Sequence, residues 1–127
     1  MKKIISTQNA PAAIGPYSQA VISGDFLFVS GQIPLNPATG LLVDGDIAVQ
    51  THQIMKNITA IAETAGLGLA DCVKSTIFLA DLRDFHIVNG VYGTYFPEAP
   101  PARSTVQVAA LPLGASIEIE TIFSLQR

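Results

Sequence analysis

Three charged side chains stand alone near the carboxyl-terminal end of the sequence. Between residues 99 and 126, Arg103 is the only cation, and Glu118 and Glu120 are the only anions. Charges among apolar strand residues are costly unless they are paired, hydrogen-bonded or kept for a ligand. Two interpretations follow. Arg103 either pairs with a glutamate and fixes strand register, or offers its planar guanidinium to a small carboxylate while a glutamate moves protons.

The common signatures of catalysis and nucleotide binding are missing from the sequence. It contains neither a GxSxG nucleophile elbow nor a GxxxxGK[ST] phosphate loop. Gly66 and Gly68 begin a GxG, but Asp71 stands where a dinucleotide-binding motif has its third glycine. We therefore expect no hydrolase of the serine type, no phosphate cradle and no dinucleotide site.

The histidines and the cysteine favour structural roles. His52 and His86 fall in separate predicted helices without an HExxH or CxxC pattern, so we predict no metal site. Cys72 is the only cysteine and opens a predicted strand without an activating neighbour, so we expect a buried structural thiol. A single cysteine also excludes an internal disulfide and favours a cytoplasmic location.

Composition indicates one domain, residues 1–127, that associates with copies of itself. The net charge of −3 argues against nucleic acid as the main partner. Charged residues make up 13% of the chain and hydrophobic residues 49%. Because a typical domain carries about 25% charged residues, large uncharged areas must bind something or lie inside a homo-oligomer. We expect neither a signal peptide nor a membrane span, since no apolar run approaches the required length.

Hydrophobic patterning predicts the element order βββαβαββ. The predicted strands cover residues 2–6, 18–23, 26–31, 73–80, 104–110 and 116–125, and the predicted helices cover 46–65 and about 84–97. Gly24 and Asp25 suit a type II′ turn between the second and third strands. Asp46 and Gly66 are expected to cap the first helix at its two ends.

The second predicted helix begins at Asp84, which we expect to serve as its N-cap. Its apolar stripe consists of Phe85, Val88, Tyr92 and Tyr95. The crossovers of both helices place them on one side of a mixed sheet. In the strand 73–80, Val73, Ile77 and Leu79 are assigned to one face, and Phe78 and Ala80 to the other. The sheet face without helices is apolar, and we expect another subunit to cover it.

Near the carboxyl-terminal end the sequence reads PARSTVQVAAL at residues 101–111, followed after five residues by IEI at 117–119. This stretch resembles the signature of the RidA (YjgF) family of reactive intermediate deaminases. Further blocks with the same resemblance are AIGPYSQA at 13–20, SGQIP at 30–34, and DF and VN at 84–85 and 88–89. The similarity thus spans essentially the whole chain.

The resemblance implies a chorismate-mutase-like α+β fold with a six-stranded mixed sheet and two helices on one face. It also implies a homotrimer with ligand clefts between subunits. The implied activity is hydrolysis of 2-imino acids, such as 2-iminobutanoate and 2-iminopropanoate, to 2-oxo acids and ammonia, with no metal or organic cofactor.

The same resemblance implies roles for particular residues. Arg103 corresponds to the arginine that clamps the substrate carboxylate, and Glu118 to the acid or base that positions water. The cleft lining implied by the family is Tyr17, Ser30, Gly31, Gln32, Ile33, Asn89 and Thr105. Many family members have a cysteine in place of Thr105, so a thiol role is in doubt here while a backbone role survives.

Two alternatives stay open at this point. The clefts could bind small carboxylates without turnover, as a regulatory or chaperone-like module. A nuclease or translation-inhibitor role has also been attached to parts of the family. It would need a basic RNA-binding strip, which this acidic sequence does not display.

Overall fold

The computed structural model describes residues 2–126, and its elements follow the predicted order. The strands are β1 (Lys3–Ile5), β2 (Ala20–Ser23), β3 (Phe26–Gln32), β4 (Cys72–Leu79), β5 (Ala102–Gln107) and β6 (Ile117–Ser124), and the helices are α1 (Ile47–Thr64) and α2 (Phe85–Thr94). They form one six-stranded sheet in the order β1-β2-β3-β6-β4-β5. β4 and β5 run parallel, whereas the other neighbouring strands are antiparallel. The predicted α+β class with a mixed sheet is confirmed.

Helix α1 begins and ends as the sequence predicts. The Asp46 side chain accepts a hydrogen bond of 3.0 Å from the Val49 backbone amide and satisfies one of the free amides of the first turn. At the other end, Gly66 adopts a positive φ of 78°, which glycine reaches without steric cost. The fully buried face of the helix carries Ile54, Met55, Ile58 and Ile61. This face packs on β3 and β6 and forms the centre of the core.

The start of α2 differs from the prediction. Asp84 stands before the helix in a helical conformation, and its side chain makes no capping bond. The cap lies one short 3-10 turn earlier, where the Asp81 side chain accepts a hydrogen bond of 2.9 Å from the Arg83 amide. The chain is already helical at Asp84, so the capping function moves upstream to the residue that is still extended.

A β-bulge at the start of β4 changes which residues face the helices, so the predicted faces of this strand are partly wrong. The pairing of β4 with β6 shifts between Cys72 and Lys74, which places one extra residue in the strand. As a result Cys72 is buried, and Val73, which was predicted to share a face with Ile77 and Leu79, is 41% exposed. Beyond the bulge the prediction is correct, because Ile77 and Leu79 are buried against the helices.

The two faces of the sheet differ in covering. Both helices pack on one face, where the buried core lies. The opposite face, here called the open face, exposes large side chains that include Phe26 at 43% and Phe28 at 44%. The structure thus leaves bare the face that the sequence predicts to be covered by another subunit. Within residues 2–126, neither helix is long and apolar enough to cross a bilayer.

Candidate functional site

A second β-bulge shapes the carboxyl-terminal end of β3. Val29 pairs with Thr121 and Gln32 pairs with Ile119, so β3 contains one more residue than β6 between these two pairs. The extra residue lies at Ser30 and Gly31, and it turns this backbone toward Glu118. A Cβ on Gly31 would overlap the Glu118 carboxylate. Glycine is therefore required for the close approach of backbone and carboxyl group.

The bulge forms one wall of a concavity of about 690 Å³ on the open face. Its lining includes six of the nine residues that the sequence assigns to the site, namely Tyr17, Ser30, Gly31, Gln32, Ile33 and Glu118. The remaining lining is mostly apolar and comes from Pro11, Ala12, Ile14, Gln19, Leu35, Pro112, Leu113 and Glu120. The concavity is large enough for a small organic acid.

Several polar groups around the concavity are already engaged by the chain itself. The Ser30 hydroxyl donates to the Ser18 carbonyl at 2.6 Å. The Gln32 side chain is 6% exposed and donates to the Ser30 carbonyl at 3.1 Å. Tyr17 is 52% exposed, and its hydroxyl accepts a 3.3 Å hydrogen bond from the Ile14 amide. Ser30 and Gln32 thus shape the wall, while the Tyr17 hydroxyl keeps its own proton to donate.

Glu118 is the carboxyl group at the floor of the concavity. Partial burial raises its pKa above the ordinary value, and the nearby negative charge of Glu120 raises the pKa further. Both glutamates lie on the open face, because they are two residues apart in β6 and side chains alternate along a strand. A carboxyl group with a raised pKa is better suited to exchange a proton with a substrate or water.

Arg103 lies elsewhere, on the outer strand β5. Its Nη1 donates to the Asn89 Oδ1 at 2.8 Å. The guanidinium carbon lies 5.1 Å from the ring centroid of Tyr92 and 5.6 Å from that of Phe85. The Tyr92 hydroxyl donates to the Ser75 hydroxyl at 2.9 Å and fixes the ring on which the guanidinium rests. One amide and two rings hold this cation, and neither kind of group neutralises its charge.

Strand register separates Arg103 from both glutamates. Arg103 pairs with Ser75, and Ser75 pairs with Thr121, so these three residues share the helix-bearing face. Glu118 pairs with Phe78 and lies on the open face. Within residues 2–126 the only ion pair joins Arg83 to Asp81. The interpretation of Arg103 as a register-fixing partner of Glu118 or Glu120 is therefore wrong for a single chain.

Comparison with known proteins places this geometry in a family. Residues 7–124 match the sequence model of the family described as Endoribonuclease L-PSP. The chain belongs to this family, also called the RidA family. Its relatives include Reactive Intermediate Deaminase A of Arabidopsis thaliana, 51% identical over 98% of this chain and 66% of that protein. The 2-iminobutanoate/2-iminopropanoate deaminase of Bos taurus is 50% identical over 96% of this chain and 89% of the bovine protein.

The fold of the RidA family is shared closely. The crystal structure of Escherichia coli TdcF with bound serine superposes with a TM-score of 0.91 at 46% identity, covering 96% of this chain and 98% of that one. The names within the family differ, since its model is described as an endoribonuclease while the bovine relative is named a deaminase. Family membership therefore fixes the fold, and the deaminase names support an enzyme that acts on imines.

In this RidA-family chain, Thr105 lies on the face of the sheet opposite the concavity. It lies on β5 two residues after Arg103, and the paired register puts it beside Ile77 on the helix-bearing face. Its hydroxyl oxygen is buried and has no hydrogen-bond partner within the described residues.

Two groups near the site escaped prediction from the sequence. Tyr92 and Phe85 were assigned to an apolar stripe, yet their rings flank the Arg103 guanidinium. Their spacing of seven residues, two helical turns, places them on one face and could have suggested a shared partner. Leu113, which lines the concavity, adopts a positive φ of 57° that no sequence pattern indicates.

The histidines and Cys72 belong neither to the lining of the concavity nor to the groups that contact Arg103. His52 Nδ1 is 2.7 Å from the Tyr95 hydroxyl, on the surface of α1. Cys72 is buried, as predicted, and burial raises the pKa of its thiol. Within residues 2–126, no cluster of three or more histidine, cysteine and acidic side chains forms a metal-binding group.

Proposed function

We propose that the protein hydrolyses small 2-imino acids, of the class of 2-iminobutanoate and 2-iminopropanoate, to 2-oxo acids and ammonia. The observation that carries the proposal is the Arg103 guanidinium, held by Asn89 and two rings with its charge left for an incoming carboxylate. A planar guanidinium binds a carboxylate through two parallel hydrogen bonds. The name of the bovine relative supports the same substrate class.

The complete site requires two copies of the chain. Arg103, Asn89 and Thr105 belong to the edge strand β5 and α2, whereas Tyr17, the 30–33 wall and Glu118 surround the concavity on the other face. β4 separates β5 from β6, so their backbones are roughly 10 Å apart in addition to facing opposite ways. We infer that the β5 edge of one subunit faces the concavity of its neighbour. The bare open face and the family resemblance support a homotrimer with clefts of this composition.

In the proposed mechanism, Arg103 binds the substrate carboxylate and directs the C=N carbon toward a water molecule held by Glu118. Glu118 takes a proton from this water as the water oxygen bonds to the carbon and the C=N electron pair moves to nitrogen. Glu118 then delivers this proton to nitrogen, which gives a neutral carbinolamine. In a second transfer Glu118 takes the proton of the new hydroxyl group and passes it to the amine, so that the C–N bond breaks, ammonia leaves and the carbonyl forms. General acid and base catalysis of this kind contributes about 10² to 10⁴-fold. The reaction uses no group beyond the chain, the substrate and water.

A second candidate function is binding of small carboxylates without turnover. The bound serine in the related TdcF structure favours it, because serine carries a carboxylate but no imine. The nuclease function in the family description has less support here. The chain is acidic, and its cations are scattered along the sequence rather than gathered in a strip. A cytoplasmic location stays a prediction from the single cysteine.

The test generates a 2-imino acid in place with an amino-acid oxidase and follows its loss by semicarbazone trapping. We expect the protein to accelerate loss of the imine and to reduce the trapped product. Binding of 2-oxobutanoate, measured by calorimetry, accompanies the assay. If the protein binds 2-oxobutanoate but does not accelerate imine decay, the deaminase proposal is wrong and the non-catalytic binding function is favoured.

A further inference from the structure

The side chain of Gln19 fastens a long irregular segment to the sheet. Gln19 is 4% exposed and directly precedes β2. Its Oε1 accepts from the Thr7 amide at 2.7 Å, and its Nε2 lies 3.0 Å from the Thr7 carbonyl. The same Nε2 lies 2.7 Å from the Pro11 carbonyl and 3.3 Å from the Ala10 carbonyl. One amide group thus serves both ends of the stretch 7–11.

The backbone around Gln19 holds the opposite wall of the concavity. The Gln19 carbonyl accepts from the Ser30 amide at 2.9 Å, and the Ser18 carbonyl accepts from the Ser30 hydroxyl at 2.6 Å. Pro11 and Ala12 line the concavity on one side, and Ser30 and Gly31 line it on the other. Gln19 is therefore the point at which the two walls are joined.

Local secondary structure does not supply this connection. No helix or strand occurs between β1 and β2, over residues 6–19. The segment is anchored in the core at Ala10, which is 2% exposed, but its Ile14 and Tyr17 are 77% and 52% exposed and contribute little burial. Beyond that anchor, its placement over the concavity depends on a few hydrogen bonds, and Gln19 makes the largest group of them.

We propose that Gln19 is a positioning residue for the substrate cleft. It sets the distance between the wall that carries Pro11 and Ala12 and the Ser30–Gly31 bulge, and thereby the approach of the Gly31 backbone to Glu118. The proposal rests on the proposed function for its catalytic readout, but not for its structural one. A displacement of about 1 Å at such a wall is enough to lower catalysis up to about 10²-fold.

A glutamate at position 19 gives a titratable version of the tether. When protonated, it offers one acceptor to the Thr7 amide and one donor to a carbonyl, close to the geometry of glutamine. When ionised, it faces the carbonyl oxygens of Thr7, Ala10 and Pro11 and repels them. The ionisable groups that share the concavity are Tyr17, Glu118 and Glu120. The segment 7–11 carries no charge. Dividing each rate by the wild-type rate at the same pH removes the titration of these shared groups.

The experiment compares wild type with Gln19→Glu, Gln19→Met and the control Thr51→Val. Methionine fills a similar volume without replacing the hydrogen bonds. Thr51 is fully buried in α1, where its hydroxyl donates to the Ile47 carbonyl at 2.7 Å, and it does not line the concavity. The measurements are amide exchange at Thr7, the melting temperature, and kcat and KM for 2-iminobutanoate across mildly acidic to mildly alkaline pH.

We expect Gln19→Met to accelerate Thr7 exchange and to lower kcat/KM by about tenfold at every pH. Gln19→Glu should match it at alkaline pH and recover toward wild type as the pH falls. Thr51→Val should lower the melting temperature and leave kcat/KM unchanged. The proposal is overturned if Gln19→Met loses stability but keeps wild-type kcat/KM, or if the relative rate of Gln19→Glu is flat with pH. Should Gln19→Met fail to fold, the pH series of Gln19→Glu decides alone.

Failure of the proposed function gives a different pattern. If the wild type hydrolyses no imine, the deaminase assignment falls, and affinity for 2-oxobutanoate in the same variants judges Gln19. Weaker binding by Gln19→Met than by Thr51→Val upholds the positioning role. Equal binding, or none by any of the proteins, overturns it.

Discussion

The Nη1 of Arg103 donates to the Oδ1 of Asn89 over 2.8 Å, so a neutral amide of α2 fixes a cation of β5. The amide and the aromatic rings orient the guanidinium and leave its positive charge in place, whereas a carboxylate partner would neutralise that charge. The pair also joins the outermost strand to the helix layer. This arrangement supports the proposed role of Arg103 in binding the carboxylate of a substrate.

The first prediction concerns the shape of this cation. Arg103→Lys keeps the charge but loses the planar fork, and we expect kcat/KM for 2-iminobutanoate to fall roughly 10 to 100-fold, on the scale of one charge-assisted hydrogen bond. Asn89→Ala should give a smaller loss, about tenfold, because the guanidinium remains but is less fixed. Arg83→Lys is the control, since Arg83 is a surface residue paired with Asp81. Equal kinetics for Arg103→Lys and wild type would remove the clamp.

The second prediction concerns proton transfer by Glu118 and compares this residue with its neighbour Glu120. Glu118→Gln should lower kcat by about 10² to 10⁴-fold while the KM changes little, because the amide keeps the shape but cannot exchange the proton. Glu120→Gln, on the same face, should retain most of the activity. Similar losses in the two variants would show that Glu118 has no special role.

The third prediction follows from the raised pKa of Glu118, whose ordinary value is 4.5. Because the pKa is higher in the folded chain, the associated stability is present below the unfolded value and is lost as the pH rises through the folded value. The variant Glu118→Gln has no carboxyl group to ionise at this position, so it does not lose this stability as the pH rises. Its melting temperature should exceed that of wild type at neutral pH, and the difference should shrink in acid, as measured by calorimetry. A difference independent of pH would contradict the assignment.

The fourth prediction concerns the open face. Phe28 is 44% exposed there, 6.4 Å from the ring centroid of Phe26. We expect wild type to sediment as a trimer and Phe28→Lys to dissociate toward monomers, because a buried unpaired ammonium opposes association. Val49→Lys changes a residue of α1 that is 46% exposed and should leave the assembly intact. Dissociation of both variants, or of neither, would place the interface elsewhere.

The fifth prediction tests the strained turn at Leu113. This residue is 69% exposed and holds a φ of 57° between Pro112 and Gly114. Leu113→Gly and Leu113→Ala remove nearly the same side chain, but only glycine accepts this conformation freely. We expect the glycine variant to be more stable than the alanine variant by about 1 kcal/mol in urea unfolding. The reverse order would mean that the turn relaxes in solution.

Local patterns in the sequence predicted the elements well where one residue type decides the outcome. Asp46 and Gly66 bound α1 as expected, because capping and positive φ are properties of single residues. Asp84 failed as a cap because the preceding chain was already helical. The faces of β4 were misassigned near Val73 because a bulge adds a residue without any marker in the composition.

By itself the sequence determined the element order, the bare apolar face and the isolation of Arg103, Glu118 and Glu120, since these follow from residue type and spacing. The tertiary structure alone decided which of these charges meet. The register across β4 puts Arg103 and Glu118 on opposite faces, and the bulge at Ser30–Gly31 brings backbone against Glu118. Such relations join residues from different strands. They depend on pairing and packing of the whole sheet, which no local pattern encodes.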